Sequence, residues 1–255
     1  MRTRQFELAV YGNDATASGS MDLIGQTRQY EKSSDPYTPM ILVSWNGGSE
    51  MVRKALSTGT DQLLLWPFST GQLGARVDAL ISARKRFIET EDYLGPERRQ
   101  PKGRRALSHS IEVPNALRAR VEGRPDLAPS AVAIQTARAR LGFIKIVNVA
   151  KRICAIANML RQHCDDAGFL RHRAVDQLAA IQNSLSVIRN ALALIEQDHK
   201  QRYCDSVEKV ATELSRSAPS LNGRGLALLE QAALALRLAI ETNVKTVSAA
   251  PAYAG

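Results

Sequence analysis

The spacing of the apolar residues changes once along this chain, and that change limits the folds open to it. Up to residue 92, short apolar runs alternate with helix-like stretches. Residues 6–11, 40–44 and 63–66 have the length and apolar density of buried strands; residues 20–29, 49–57 and 69–86 carry helical periods. Strand and helix taking turns in this way predict a parallel α/β sheet. Gly59 fits a helix stop and Ser69 an N-cap.

From Ser130 onward the period is helical throughout. Leu178, Ile181, Leu185, Ile188, Leu192 and Ile195 step by three and four residues. So do Leu226, Leu229, Ala233, Leu236 and Ile240, and likewise Tyr203, Val207, Val210 and Leu214. Ile134, Ala137, Leu141 and Ile144 begin a stripe that Ile153, Ile156 and Leu160 resume after a small drift. Breaks at 165–168 and 217–225, with a weaker one near Gln201, predict three or four helices packed as a bundle, in one chain or across a dimer. The expected fold class is therefore α/β plus all-α: a partial parallel sheet over 1–92, then a helical bundle over 130–248.

Between them, residues 93–129 lack any sustained period and hold Pro96, Pro101, Pro114, Pro125 and Pro129. Arg98, Arg99, Lys102, Arg104, Arg105, Arg118, Arg120 and Arg124 outnumber the acids there, so much of the net charge of +9 falls on this segment. It reads as an extended basic linker. Charge of this sign admits acidic partners, but a soluble protein also carries such charge for solubility alone. Cys154, Cys164 and Cys204 have neither an even count nor a CxxC spacing, so no disulfide framework or zinc module is implied. The N-terminus lacks a signal-peptide core, and Glu230 and Arg237 interrupt the most apolar stretch, 226–240. No membrane span and a cytoplasmic setting are expected.

The first ninety-odd residues resemble the later part of a response-regulator receiver domain, the flavodoxin-like phosphoacceptor module of two-component signalling. Pro39-Met-Ile-Leu-Val-Ser44 resembles that family's fourth strand with its terminal hydroxyl residue. Ala55-Leu-Ser-Thr-Gly-Thr-Asp-Gln-Leu-Leu-Leu-Trp-Pro-Phe68 resembles its A-x-x-x-G-A-x-D-[YF]-[LI]-x-K-P-F stretch, and 69–80 its last helix. Tyr93-Leu-Gly-Pro-Glu-Arg-Arg99 is similar to a Y-x-G-P-D-R-R tag that trails some receivers.

The resemblance fails at the chemistry. It places Gly12 where the acceptor aspartate stands, with Asp14 two residues on, and glycine has no nucleophile. Trp66 replaces the phosphate-pairing lysine, so the cation is gone. Ser44 keeps the hydroxyl position, but the bulky Trp45 follows it, and Leu63 holds the aromatic switch position. The match begins at the family's third strand, so the first strand with its Mg²⁺-binding acids is expected to be missing. Without it, residues 6–11 become a sheet edge with an uncovered apolar face. The resemblance also implies a cis bond at Trp66-Pro67.

Other chemistry finds little support. His163 and His172 flank the break between two long helices, but neither sits in a phosphotransfer motif, and an exposed or capping role accounts for both. His163, Cys164, Asp165 and Asp166 are too closely spaced to converge on one metal ion. Phosphate-loop, dinucleotide, zinc-protease and nucleophile-elbow motifs are absent, so no cofactor and no enzyme activity are expected. The basic linker could neutralise phosphates of a nucleic acid, yet no aromatic residue interleaves with its charges after Tyr93. The sequence points first to a non-catalytic pseudo-receiver. Its partners are expected to be signalling proteins or a second copy held through the bundle. A nucleic-acid-associated helical protein is the alternative.

Overall fold

The computed structural model describes residues 6–13, 19–29, 33–98, 110–194, 198–217 and 221–242. The chain forms two compact units, residues 1–141 and residues 142–254.

The first unit holds a parallel sheet of β1 (Ala9–Asn13), β2 (Met40–Ser44) and β3 (Gln62–Leu65), in the order β1-β2-β3. Every residue of β2 is buried, as a central parallel strand covered on both faces requires. Side chains alternate, so Met40 and Leu42 meet Met21, Ile24 and Ala55 of α1 (Gly19–Arg28) and α2 (Ser49–Ser57). On the opposite face Ile41, Val43 and Leu64 meet Leu73, Val77 and Leu80 of α3 (Thr70–Ser82). The α/β expectation holds, with shifted ends. The first strand runs Ala9–Asn13, because its ladder with β2 carries through Gly12 opposite Val43 and Asn13 opposite Ser44. The α3 helix stops at Ser82 instead of continuing to 86, and Arg84 then turns inward to the carboxylate of Asp61. Among the described strands β1 is an edge; Phe6 and Val10 are 58% and 55% exposed.

The basic segment differs from an extended linker. Leu94–Pro96 forms β5 and pairs antiparallel with β4 (Phe87–Glu89), while Ile111 exchanges both backbone hydrogen bonds with Phe87 at 2.8 and 3.0 Å. Residues 116–122 form α4 (Ala116–Glu122), which packs on α3. Asn115 caps α4 by accepting the Arg118 N–H at 3.1 Å, and its side-chain amide donates to the Leu80 carbonyl at 2.8 Å. Five prolines suggested a tether, but Leu94, Ile111 and Val113 supply enough apolar surface to cover Tyr37 and Phe87. Residues 99–109 of this segment lie outside the described ones.

The boundary between units also moves, from 129 to 141. Helix α5 (Ala131–Gln162) spends its first turns in the first unit, where Ile134, Ala137 and Leu141 pack with Tyr37, Phe87 and Leu94. A chain ending at residue 92 would lose all of this cover. It is expected to be poorly soluble and to melt without a cooperative transition, and a sharp melt of a monodisperse 1–92 fragment would contradict this packing.

In the second unit the remainder of α5 joins α6 (Ala167–Leu194), α7 (Gln201–Ser217) and α8 (Gly223–Glu241). The stripes read from the sequence between Ile153 and Ile240 form one core: Leu178, Ile181, Leu185 and Ile188 meet Val207, Leu214, Leu226, Leu229 and Leu236. Ile195 lies outside the described residues. The drift in α5 has a packing cause. Phe143, Ile146, Val147, Val149 and Ala150 are all buried, so the helix is enclosed on several sides there. Ion pairs Arg161–Glu230 (3.0 Å) and Lys151–Glu241 (3.8 Å) tie α5 to α8, and Arg189 ties α6 to Asp205 and Glu208 of α7. Among the described residues no helix is long and apolar enough to cross a membrane.

Candidate functional site

In a parallel α/β unit the strands' carboxyl ends and the helices' N-termini meet at one edge, where chemistry is normally sited. Here that edge is built by Gly12, Ser44 and Leu65, which lie at or next to the strand ends, and by the turns that follow β2 and β3. Ser44 is fully buried, and its hydroxyl is turned back into its own loop. It donates to the Asn46 carbonyl at 3.1 Å and accepts the Asn46 N–H at 3.2 Å. Asn46 in turn accepts the Gly48 N–H at 2.8 Å, which sets up the start of α2.

Two indoles dominate the surface. Trp45 and Trp66 are 53% and 50% exposed, with ring centroids 5.9 Å apart and planes tilted by 33°. Phe68 meets Trp66 edge-on at 5.1 Å, and the backbone N–H of Trp66 donates to the Ser44 carbonyl at 2.8 Å. The Trp66-Pro67 bond is cis, the geometry expected for it above. Ser69 closes the turn with a capping box, accepting the Gln72 N–H while the Gln72 side chain accepts its own.

Of the expected site residues, Gly12, Ser44, Trp66 and Pro67 are thus brought to one edge. Gly12 is exposed, and a Cβ there would lie in ordinary van der Waals contact with the Trp45 ring at 3.8 Å. Asp14 lies outside the described residues. Leu63 is half-buried against the α1 and α2 core. His163 is exposed and stacked on Phe169 (4.5 Å, 29°), while the side chain of His172 lies outside the described ones. Among the described residues no three His, Cys, Asp or Glu groups converge to hold a metal.

A second cluster, which the sequence reasoning missed, is buried at the opposite end of the sheet. The carboxylate of Asp61 accepts from Arg28 at 2.7 Å and from Arg84 at 2.7 Å, and from the Met40 N–H at 2.9 Å. Both guanidiniums also lie against the Phe87 ring, 5.1 and 4.9 Å from its centroid. Arg28 donates further to the carbonyls of Pro36, Thr38 and Gly59, and Arg84 to those of Tyr37 and Pro114. Burial pushes the Asp61 carboxyl up, but the charges of Arg84 and Arg28 outweigh it and hold the group below its ordinary value. Every partner here is internal, so the cluster is a fastening for the loops before β2 and β3. Arg28 and Asp61 stand 33 residues apart, and no local spacing announces their meeting.

The comparisons add no identity to this geometry. No family model, curated protein or solved structure matches the chain.

Proposed function

We propose that the chain is a receiver-like protein of the two-component type, with a partial flavodoxin-like sheet, that works through protein contacts and transfers no phosphoryl group. The observation that carries this is the exchange of chemistry for aromatic surface: Gly12 and Trp66 stand where the resemblance puts the acceptor carboxylate and its lysine. Two half-exposed tryptophans on one edge are costly in water and are typical anchors of protein interfaces. The bundle is the association part, and the site of action is cytoplasmic.

Four of the cations behind the nucleic-acid reading, Arg99, Lys102, Arg104 and Arg105, lie outside the described residues, and the three cited next are held locally. Arg98 donates to the Thr60 carbonyl, Arg118 pairs with Glu122 at 2.9 Å, and Arg124 pairs with Asp126 at 2.6 Å. These charges are engaged within the chain.

Two measurements test the proposal. Incubation with acetyl phosphate and Mg²⁺ should add no phosphoryl group by intact mass, in the wild type or in Gly12→Asp, where Trp66 still supplies no cation to pair with a phosphoryl group. A phosphoryl adduct on the wild type would overturn the reading. Trp45→Ser/Trp66→Ser should keep the wild-type melt and lose partners cross-linked to the wild type. Because these are the chain's two tryptophans, intrinsic fluorescence reports on this edge alone.

A further inference from the structure

We propose that the outer face of α8 is a dimer seam that pairs antiparallel with α8 of a second copy. The proposal rests on reading the bundle as the association part of the protein. Helix α8 is apolar on two sides. Leu226, Leu229, Ala233, Leu236 and Ile240 face the bundle core, while Leu228, Leu234 and Leu238 on the other side are 50%, 48% and 52% exposed. Gln231 and Ala235 complete the outer stripe from Leu228 to Leu238, and its one charge, Arg224, lies at the N-terminal end. A helix that is apolar all round is normally buried all round. Its neighbour α7 shows the ordinary alternative, with Arg202, Asp205, Ser206, Lys209, Glu213 and Arg216 on its exposed side.

The arrangement of the outer stripe favours a second copy over an unrelated partner. Antiparallel pairing about a two-fold axis near Ala233 sets Leu228 opposite Leu238 of the second copy, and Gln231 opposite Ala235. The same register brings Arg224 against Thr242, beside Glu241 and the C-terminal carbonyls of the facing helix. Arg224 is exposed and has no ion pair among the described residues. A cation there meets both a carboxylate and the negative end of a helix. A surface complementary to itself in shape and charge is what an isologous two-fold contact requires. The helix is about 28 Å long at 1.5 Å per residue. A seam of one helix per chain is small for a protein interface, so the dimer dissociates on dilution.

Sedimentation velocity of the full chain over a range of concentrations tests this. A reversible monomer–dimer equilibrium is expected. Leu228→Glu/Leu238→Glu should be monomeric throughout, with unchanged helical circular dichroism, and Arg224→Glu should dissociate several-fold more readily. A wild type that stays monomeric overturns the proposal, as does a dimer that the leucine variant leaves intact. If the leucine variant loses its helix signal, Gln231→Cys/Ala235→Cys decides the matter. Mild oxidation should link it into a disulfide dimer that the wild type does not form, and its failure to link also overturns the seam. None of these outcomes depends on phosphoryl labelling, so the dimer and the pseudo-receiver reading can fail separately.

Discussion

Asp61→Ala is expected to cost about 3–5 kcal/mol, the range for removing one partner of a buried ion pair, and so to unfold the first unit or bring it to the edge of unfolding. The side chain is 2% exposed and is shared by two guanidiniums that are 1% and 7% exposed. Without it, Arg28 and Arg84 become two buried like charges against one phenyl ring. Asp61→Asn keeps the size and one acceptor, but it still leaves the charges unopposed and should fall only slightly short of alanine. Urea unfolding followed by circular dichroism measures this, because loss of the first unit separates from the bundle's helix signal. A cost below about 1 kcal/mol, the level of a surface ion pair, would show that the cluster is solvated. The pH dependence has a defined sign. Asp61 is held below its ordinary value in the fold, so its contribution is present above the unfolded-state value of about 3.9 and is lost as pH falls through the folded one. Asp35 opposes it. Burial outweighs its hydrogen bond from the Tyr37 N–H and raises its carboxyl, so its contribution is present at low pH and lost as pH rises through that raised value. Asp61→Ala should therefore remove the acid-side loss of stability, and Asp35→Asn should leave it in place.

What could be read in advance follows from the range of the forces involved. The strands, helices α1 and α2, and all four bundle stripes were legible because periodicity is local: Met40 to Ser44 announces a buried strand by its own composition, and Leu178 to Leu192 a helix face by its own spacing. The edge holding Gly12, Ser44, Trp66 and Pro67 was reached through a resemblance, and the residues do gather there. The orientation of Ser44 into its own turn was not legible, because it depends on Asn46 adopting a particular backbone path. The fastening of Arg28, Asp61, Arg84 and Phe87 was hidden for a different reason. Its members come from α1, the turn before β3, the segment after α3, and β4, and only the folded chain makes them neighbours. Prolines misled the reading of 93–129, since a proline lacks only its own N–H: Pro96 ends β5 opposite Phe87, and Leu94 and Ile111 pair beside it.

The segment 93–98 also has a physical role, and it carries the second large effect. Tyr93 donates its hydroxyl proton to the Pro96 carbonyl at 2.8 Å, and Arg98 reaches the Thr60 carbonyl. Between them Gly95 lies on Gly59: a Cβ at Gly95 would sit 2.7 Å from the Gly59 Cα and 2.7 Å from the Tyr93 hydroxyl. A Cβ at Gly59 would sit 2.4 Å from the Leu94 carbonyl oxygen, and Gly59 has a φ of +88°. Two backbones therefore touch with no side chain on either. Gly95→Ala should cost about 1–3 kcal/mol, as overpacking generally does. Gly59→Ala should cost more, because strain at a positive φ adds about 1–3 kcal/mol. The two losses should not add. Either alanine pushes the 93–98 segment off the turn, and once it is displaced the second substitution meets no clash and pays only its own backbone strain. The double variant is thus expected to be more stable than the sum of the singles predicts, with a coupling of about 0.5–3 kcal/mol between touching residues. Strict additivity in urea unfolding would mean that the two glycines act independently and that the segment does not rest on the 59–61 turn.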